Sequence, residues 1–204
     1  MIYYDDSFGN MKVKIKYHGK ERTIELIDGK SDWFDLRARL VYKVDTQNLI
    51  SDCVLSTDNK DMLPLLERKS TSDLLPFERG LLFQEGSEEE VRFVRYRQGD
   101  YLKIDLGVSM ELPKGYEAYI VPRGSTFKNY GLIQPNSPGV VDESYKGDTD
   151  IFFMPGYALQ DGFIIEGERV CQFRIQKKMD PFDFEKVDSL NNKKRDSFGS
   201  TGTK

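Results

Sequence analysis

The residues of this chain best suited to perform chemistry lie between positions 136 and 148. Val140 and Val141 have the apolar character of a strand end, and Asp142 follows them directly, close to Tyr145 and a turn glycine, Gly147. An ionised carboxylate held at a strand end can accept a proton from water, so Asp142 is a candidate general base. The same residues also fit a β-hairpin in which the aspartate only caps a turn.

Two other segments contain arginine, hydroxyl and glycine groups, which together bind phosphate oxygens. Residues 121–126 place Arg123 directly before Gly124 and Ser125 at the end of an apolar run, although strings this short also occur by chance. Residues 195–202 have the composition of a phosphate-binding arm that closes over a ligand. The alternative for such a glycine-rich segment is a frayed tail.

The composition excludes several classes of function. His18 is the only histidine among 204 residues, which removes Ser-His-Asp and Cys-His triads and histidine-based zinc sites. Thirty Lys+Arg against 34 Asp+Glu give a formal charge of −4, whereas a nucleic-acid-binding protein normally has a basic excess. No apolar run is long enough to span a membrane, and Cys53 and Cys171 form no disulfide framework. We therefore expect a cytoplasmic protein that binds neither nucleic acid nor membranes.

Short segments with a period of two must position these side chains. Residues 12–17 alternate lysines with apolar residues, and the alternation recurs at residues 104–112, 116–121 and 169–175. Glycines and prolines separate these segments at turns, as at residues 113–115. The pattern predicts an all-β protein, either a sandwich or a barrel, with the candidate residues at strand ends.

Residues 42–97 depart from this pattern. They combine leucines and phenylalanines with prolines and an acidic run at positions 88–90, so we interpret them as an inserted subdomain. Their apolar side chains must be buried against the insertion itself, against the core or against another protein. From about residue 191 the chain is polar and rich in glycine, which predicts flexibility.

Five segments in a fixed order together resemble the motifs of the trimeric dUTP diphosphatase (dUTPase) family: Asp32–Ala38, Pro122–Thr126, Gly139–Gly147 with Asn136 upstream, Gly167–Gln172 and Arg195–Gly202. Residues 143–148 are most similar to the short dUTPases of Gram-positive bacteria and their phages. The resemblance extends over residues 12–41 and 96–204, which is most of the chain.

This resemblance implies a fold and an assembly. The subunit would be a β-jelly-roll (β-clip) with a core of residues 1–41 and 98–190, interrupted by the insertion at 42–97. Residues 191–204 would be a flexible C-terminal active-site arm. The family forms a homotrimer whose active sites lie at subunit contacts, each combining motifs from different chains.

The resemblance also assigns a substrate and a role to the hairpin residues. The substrate would be dUTP, hydrolysed to dUMP and pyrophosphate. Asp142 would activate the attacking water, and Tyr145 would lie under the deoxyribose, where a ribose 2′-hydroxyl would clash. The residues that would hold uracil and leave no room for a thymine methyl are Asn136, Gly139, Val140 and Val141.

The remaining candidates would hold the triphosphate. The residues near its phosphates in the folded core would be Arg123, Gly124, Ser125 and Gln172. The residues of the arm that would close over the γ-phosphate and the base are Arg195, Phe198, Gly199, Ser200 and Thr201. Mg²⁺ would be carried mainly by the triphosphate, and Asp35 would reach it only through water.

The departure from the family pattern that we expect to matter most is at position 124. Gly124 stands where the second motif normally has a serine that contacts the phosphates, and losing one such donor typically costs about 10²- to 10³-fold in rate. A second hypothesis is therefore a weakly active or inactive dUTP-sensing trimer that binds a protein partner through its insertion. The related dCTP deaminases share the fold, but their catalytic residue pattern is not legible in this sequence.

Overall fold

A computed structural model describes residues 12–19, 24, 31–44, 72–84 and 87–192. Within these residues the chain forms fourteen strands and one short helix. The elements are β1 Lys14–Tyr17, β2 Phe34–Arg37, β3 Leu40–Val44, β4 Ser72–Leu74, β5 Glu78–Gln84, β6 Ser87–Tyr96, β7 Tyr101–Asp105, β8 Val108–Glu111, β9 Tyr116–Pro122, α1 Thr126–Tyr130, β10 Leu132–Ile133, β11 Gly139–Val141, β12 Phe153–Ala158, β13 Gly162–Ile165 and β14 Arg169–Lys177.

The strands form four antiparallel groups, which confirms the all-β prediction. A five-stranded sheet has the order β10-β12-β7-β3-β4, and a four-stranded sheet has the order β11-β9-β14-β2. A three-stranded sheet, β13-β6-β5, and the pair β1-β8 complete the fold. The candidate site residues described by the structure lie on or directly beside the four-stranded sheet.

The predicted alternation over residues 104–112 is divided between β7 and β8. Gly107 has a φ of +69°, a conformation that favours glycine, and its N–H donates a 2.7 Å hydrogen bond to the Asp105 carboxylate. The turn preserves the side-chain pattern, because Ile104 and Val108 on either side of it are both buried. The predicted strands at residues 12–17 and 116–121 correspond to β1 and β9.

The inner faces of the two large sheets supply much of the hydrophobic core. Residues of the four-stranded sheet in this core are Leu36, Ala118, Ile120, Val141, Val170, Cys171 and Phe173, and those of the five-stranded sheet include Val41, Leu102, Ile104 and Met154. Because successive residues of a strand point to opposite faces, Asp35, Val121 and Gln172, which lie beside these residues in their strands, point outward from the four-stranded sheet. This outer face carries the candidate chemistry.

Both ends of the expected insertion at residues 42–97 take part in the core sheets. Strand β3 continues to Val44 alongside β7, and β6 pairs with β13. Val94 and Tyr96 of β6 are buried in the core. Residues 45–71 lie outside the described residues. In the part of the chain that is described, no helix is long and apolar enough to cross a membrane.

Candidate active site

A first group of candidate residues lies where three adjacent strands meet. Gln172 on β14 is directly opposite Asp35 on β2 and Val121 on β9. Arg123 follows the last residue of β9, so the strand pairing brings it to the same end of the sheet as Asp35 and Gln172. Residues distant in the sequence thus become neighbours through antiparallel pairing.

Two arginines share the carboxylate of Asp35. Arg123 Nε lies 2.8 Å from Asp35 Oδ1, and Arg169 Nη1 lies 3.0 Å from Asp35 Oδ2. The Asp35 side chain is only 18% exposed, so these charge-assisted contacts are partly shielded from solvent. One carboxylate balances only one of the two positive charges, and each guanidinium keeps further N–H donors. The pairing therefore fixes both arginines and leaves them able to bind an anion.

Arg169 is a site residue that the sequence pattern did not identify. Strict alternation along β14 would place Arg169 on the inner face with Cys171. The register between β14 and β2 shifts between Arg169 and Cys171, which is a β-bulge. Val170 and Cys171 are consequently both buried, and Arg169 reaches Asp35 on the outer face. An arginine three positions before Gln172 was the available signal, but the bulge is not visible in the sequence.

A cavity of about 350 Å³ lies over these side chains, lined by Ser31, Trp33, Asp35, Arg123, Gly124, Ser125 and Gln172. Thr126 Oγ1 donates a 2.8 Å hydrogen bond to the Val170 carbonyl, which ties the start of α1 to β14 beside the cavity. Ser125 precedes α1, and its side chain makes no capping hydrogen bond. We call Asp35, Arg123, Gly124, Ser125, Arg169 and Gln172 the arginine cluster.

The second group of candidate residues surrounds β11, at the opposite edge of the same sheet. Val140 is 54% exposed, whereas Val141 is buried, so β11 presents one face to solvent. Asn136 and Asp142, on either side of the strand, are both exposed. We call Asn136, Gly139, Val140, Val141, Asp142 and Tyr145 the hairpin cluster.

Gln134 anchors the loop that leads into β11, a role that no sequence pattern indicated. Its side chain is buried, and Nε2 donates a 3.1 Å hydrogen bond to the Ile120 carbonyl on β9. Gly139 faces Ile120 in the register, and a Cβ at position 139 would lie 3.0 Å from Gln134 Nε2. The absence of a side chain at Gly139 therefore lets the amide pack against the strand.

Within one chain Asp142 and Arg123 are far apart, although Gly139 and Gln172 lie opposite adjacent residues of β9. Val141 is opposite Ala118 near the start of β9, and Asp142 is one residue further away, whereas Arg123 follows the other end of β9. About six residues of extended chain separate the two positions, which is roughly 20 Å at about 3.3 Å per residue. A general base must come within about 3 Å of the proton that it accepts. Asp142 therefore cannot act on a group held by Arg123 of the same chain.

Among the described residues near the arginine cluster, neither Cys171 nor Tyr130 is a nucleophile, and no group of side chains forms a metal site. Burial raises the pKa of the Cys171 thiol far above its usual value, with a further contribution from the Asp35 carboxylate, so the thiol stays neutral. Burial and the Glu168 carboxylate raise the pKa of Tyr130 to about 12. Across the residues that the structure describes, no group of three or more His, Cys, Asp or Glu side chains could hold a metal ion.

Five of the predicted site residues cannot be placed. Arg195, Phe198, Gly199, Ser200 and Thr201 lie outside the described residues. The arginine cluster brings together Asp35, Arg123, Gly124, Ser125 and Gln172, and the hairpin cluster brings together the other six predicted residues.

Comparisons with known proteins were informative over the second half of the chain. A family model described as dUTPase matches residues 90–203, which is more than half of the chain. The SPbeta prophage-derived deoxyuridine 5′-triphosphate nucleotidohydrolase of Bacillus subtilis is 57% identical over 111 residues, covering 54% of this chain and 78% of that protein. The deoxyuridine 5′-triphosphate nucleotidohydrolase of Anaplasma marginale is 35% identical over 107 residues, covering 52% and 71%.

The structure is also similar to a solved dUTPase. A mutant dUTPase from phage phi11 of S. aureus, described as coordinating a structural Mg(II) ion, has a TM-score of 0.54 and 11% identity. The likeness covers 89% of this chain and 100% of that one, and it shows that the two share the dUTPase jelly-roll fold. The family-model match includes the hairpin cluster, but it begins after β2 and Asp35.

Proposed function

Because the chain belongs to the dUTPase family, we propose that it hydrolyses dUTP to dUMP and pyrophosphate at sites that combine two subunits. The observation that carries this proposal is the separation of roughly 20 Å along β9 between Asp142 and Arg123 of one chain. The hairpin cluster has the candidate general base, and the arginine cluster has the groups that can bind phosphate. A neighbouring copy would bring its arginine cluster to this chain's Asp142.

The hairpin cluster would select the base. Strand β11 pairs with β9 on one side and is the edge strand of its sheet. Backbone N–H and C=O groups on the free edge of such a strand can bond to the donors and acceptors of a planar base. Asn136, Gly139, Val140 and Val141 would hold uracil in this way. A close wall is needed to exclude thymine, because one extra methyl group changes binding by only about 1–3 kcal/mol.

Tyr145 would contact the sugar. Its hydroxyl donates a 2.9 Å hydrogen bond to the Ile151 carbonyl, and its ring centroid lies 6.4 Å from that of Phe152. These contacts fix the ring while leaving the residue 38% exposed. A fixed aromatic ring provides a flat surface for deoxyribose and a steric barrier to a 2′-hydroxyl.

The arginine cluster would hold the phosphates. Arg123, Ser125 and Gln172 line one cavity and offer guanidinium, hydroxyl and amide donors to phosphate oxygens. The magnesium of the reaction would arrive with the substrate as Mg–dUTP and would neutralise phosphate charge. Both carboxylate oxygens of Asp35 already contact arginines, which fits a contact with the metal through water only.

The chemical step would be an in-line displacement at the α-phosphorus. Asp142 accepts a proton from water as the water oxygen forms a bond to the α-phosphorus. The bond from the α-phosphorus to the oxygen that bridges to the β-phosphorus breaks, and pyrophosphate leaves with that electron pair. Positioning and charge neutralisation contribute most in phosphoryl transfer, so one carboxylate is enough to orient the water.

The assembly would be a homotrimer, and the segment after β14 supports association with a further copy. Residues 178–192 have no regular secondary structure. Phe182 and Phe184 are 54% and 90% exposed, and they alternate with acidic residues as in a strand. A segment with this pattern needs another surface to cover its apolar side. Beyond it, Arg195, Phe198, Gly199, Ser200 and Thr201 would close over the substrate of a site.

Pyrophosphate release from dUTP, dCTP and dTTP tests the proposal. We expect rapid release from dUTP in the presence of Mg²⁺ and little from the other two nucleotides. Release from dCTP or dTTP at the dUTP rate would contradict the assigned base recognition. Binding of dUTP without turnover would contradict the enzymatic function and would favour a sensing role.

A further inference from the structure

We propose that Glu143 is the positioning residue for Asp142. Its side chain connects the turn that contains Asp142 to the turn between β8 and β9 and to the residue that follows β14. The inference rests on the proposed dUTP hydrolysis. Glu143 would contact neither the substrate nor the attacking water. It would act by fixing the orientation of the Asp142 carboxylate.

The Glu143 carboxylate joins three segments of the protein. It accepts a 2.9 Å hydrogen bond from the Gly115 N–H, in the turn between β8 and β9, and lies 3.2 Å from Lys178 Nζ, just after β14. Lys178 N–H in turn donates a 2.9 Å hydrogen bond to the Gly115 carbonyl. The three residues therefore form a closed junction, in which the Glu143 side chain is 27% exposed.

Asp142 depends on its neighbours for its placement. It is the first residue of a turn closed by a 3.0 Å hydrogen bond from the Tyr145 N–H to the Asp142 carbonyl. Among the described residues, no hydrogen bond to the Asp142 carboxylate is present, and the residue is exposed. The turn is held at one corner by Glu143 and at its end by the Tyr145 hydroxyl bond to Ile151. Releasing Glu143 would therefore let the catalytic carboxylate move.

The charge state of Glu143 suits this role. The Gly115 N–H, and then the Lys178 ammonium, hold the pKa of the Glu143 carboxyl below its usual value. Glu143 therefore remains ionised at neutral pH, where both contacts persist. Lys178 directly follows the end of β14 and is the first residue of the segment 178–192, so the same junction fixes the start of that segment.

Steady-state hydrolysis of Mg–dUTP by the full-length protein tests this role. Glu143→Ala removes both contacts, and we expect kcat to fall by about tenfold or more, since small displacements of a catalytic group cost up to about 10²-fold. The KM for dUTP should stay within about twofold, because Glu143 contributes nothing to substrate binding. Glu143→Gln can still accept the Gly115 hydrogen bond and should recover most of the lost kcat.

The matched control is Glu111→Ala, which removes a 2.7 Å ion pair to Lys14 between β8 and β1, two strands that carry no residue of either cluster. It should leave kcat unchanged. Lys178→Met removes only the ion pair and keeps the Gly115 hydrogen bond, so it should lower kcat by a smaller factor than Glu143→Ala. It also tests the junction if the alanine variant fails to fold. Circular dichroism and size-exclusion mass establish folding for every variant.

Wild-type kcat in folded Glu143→Ala would overturn the inference. If that variant does not fold, wild-type kcat in Lys178→Met would overturn it. An equal loss in Glu111→Ala would also overturn it, because the effect would then be general destabilisation. A wild-type protein that releases no pyrophosphate from dUTP would refute the proposed function, and with it the role of Glu143. Active wild-type protein with fully active variants would refute only the role of Glu143.

Discussion

Restoring a hydroxyl at position 124 should increase the rate of dUTP hydrolysis. Gly124 lines the cavity of the arginine cluster together with Arg123, Ser125 and Gln172. A Cβ at Gly124 would meet nothing within 4 Å, and its φ lies outside the left-handed range that disfavours side chains. Gly124→Ser therefore adds a hydrogen-bond donor beside the proposed phosphate site without displacing any neighbour.

The expected gain follows from the strength of one hydrogen bond to a charged group. Such bonds contribute about 1.5–3 kcal/mol, and each 1.4 kcal/mol corresponds to about tenfold in rate when the bond is made in the transition state. Gly124 is exposed, so the new hydroxyl would compete with water and the gain should lie near the lower limit. We expect kcat to rise by about tenfold.

Gly124→Ala separates the hydroxyl from the effect of the added Cβ. Both variants restrict the unfolded chain and should gain about 0.4–1 kcal/mol of stability, which thermal unfolding measures. Only the serine variant should raise kcat in a pyrophosphate-release assay with saturating Mg–dUTP. Equal rates for glycine and serine would refute the reasoning and would mean that Ser125 or a water molecule already supplies this donor. An equal rise in kcat for Gly124→Ser and Gly124→Ala would show that the restricted backbone, and not the hydroxyl, increases the rate.

Three further variants test other parts of the proposal. Asp142→Asn should bind a non-hydrolysable dUTP analogue with near-normal affinity and lose most of its kcat, because an amide cannot accept the proton; retained kcat would show that Asp142 is not the base. Truncation after Lys194 should leave a folded trimer with strongly reduced kcat/KM, measured by size-exclusion mass and pyrophosphate release, and full activity without the arm would contradict this. Replacing residues 45–71 with a short Gly/Ser linker should preserve trimer and activity, because Val44 and Ser72 are directly paired across β3 and β4; a monomeric or inactive product would place the segment in the catalytic assembly.

The strand pattern could be predicted from the sequence because alternation is a local property. The runs that became β1 and β9 needed no knowledge of their partners. Arg169 could not be assigned to the outer face, because a β-bulge reverses the alternation at that position and depends on the pairing with β2. The short helix α1 was also not predicted, since five residues are too few to show a helical period before Gly131 ends it at a φ of 61°.

The boundaries of the insertion depend on pairing in the same way. The acidic residues at positions 88–90 give the first part of β6 no apolar alternation by which a strand could be predicted, whereas Val94 and Tyr96 belong to the core. The sequence boundaries of 42 and 97 therefore include residues that the core sheets use, and we propose that the insertion is confined to residues 45–71. The linker variant above therefore replaces only residues 45–71, which lie between the paired residues Val44 and Ser72.

The distance between Asp142 and Arg123 could likewise not be predicted from the sequence. Asp142 and Arg123 are 19 positions apart in the chain, and nothing in their spacing shows that β9 holds them at its opposite ends. The register of β9 with β11 and β14 establishes this arrangement. The proposal of a site shared between subunits is supported by this geometry as well as by the family resemblance.

The central claim is that each active site takes its hairpin cluster from one subunit and its arginine cluster from another, and mixed trimers test it most directly. Asp142→Asn inactivates the first cluster, and Arg123→Ala weakens the second while Asp35 keeps its 3.0 Å contact with Arg169. Each variant alone should be nearly inactive. When the two variants are co-expressed in equal amounts, about a quarter of the sites in randomly assembled trimers combine two intact clusters. We therefore predict recovery of about a quarter of wild-type kcat, whereas mixed trimers no more active than the separate variants would contradict the shared site.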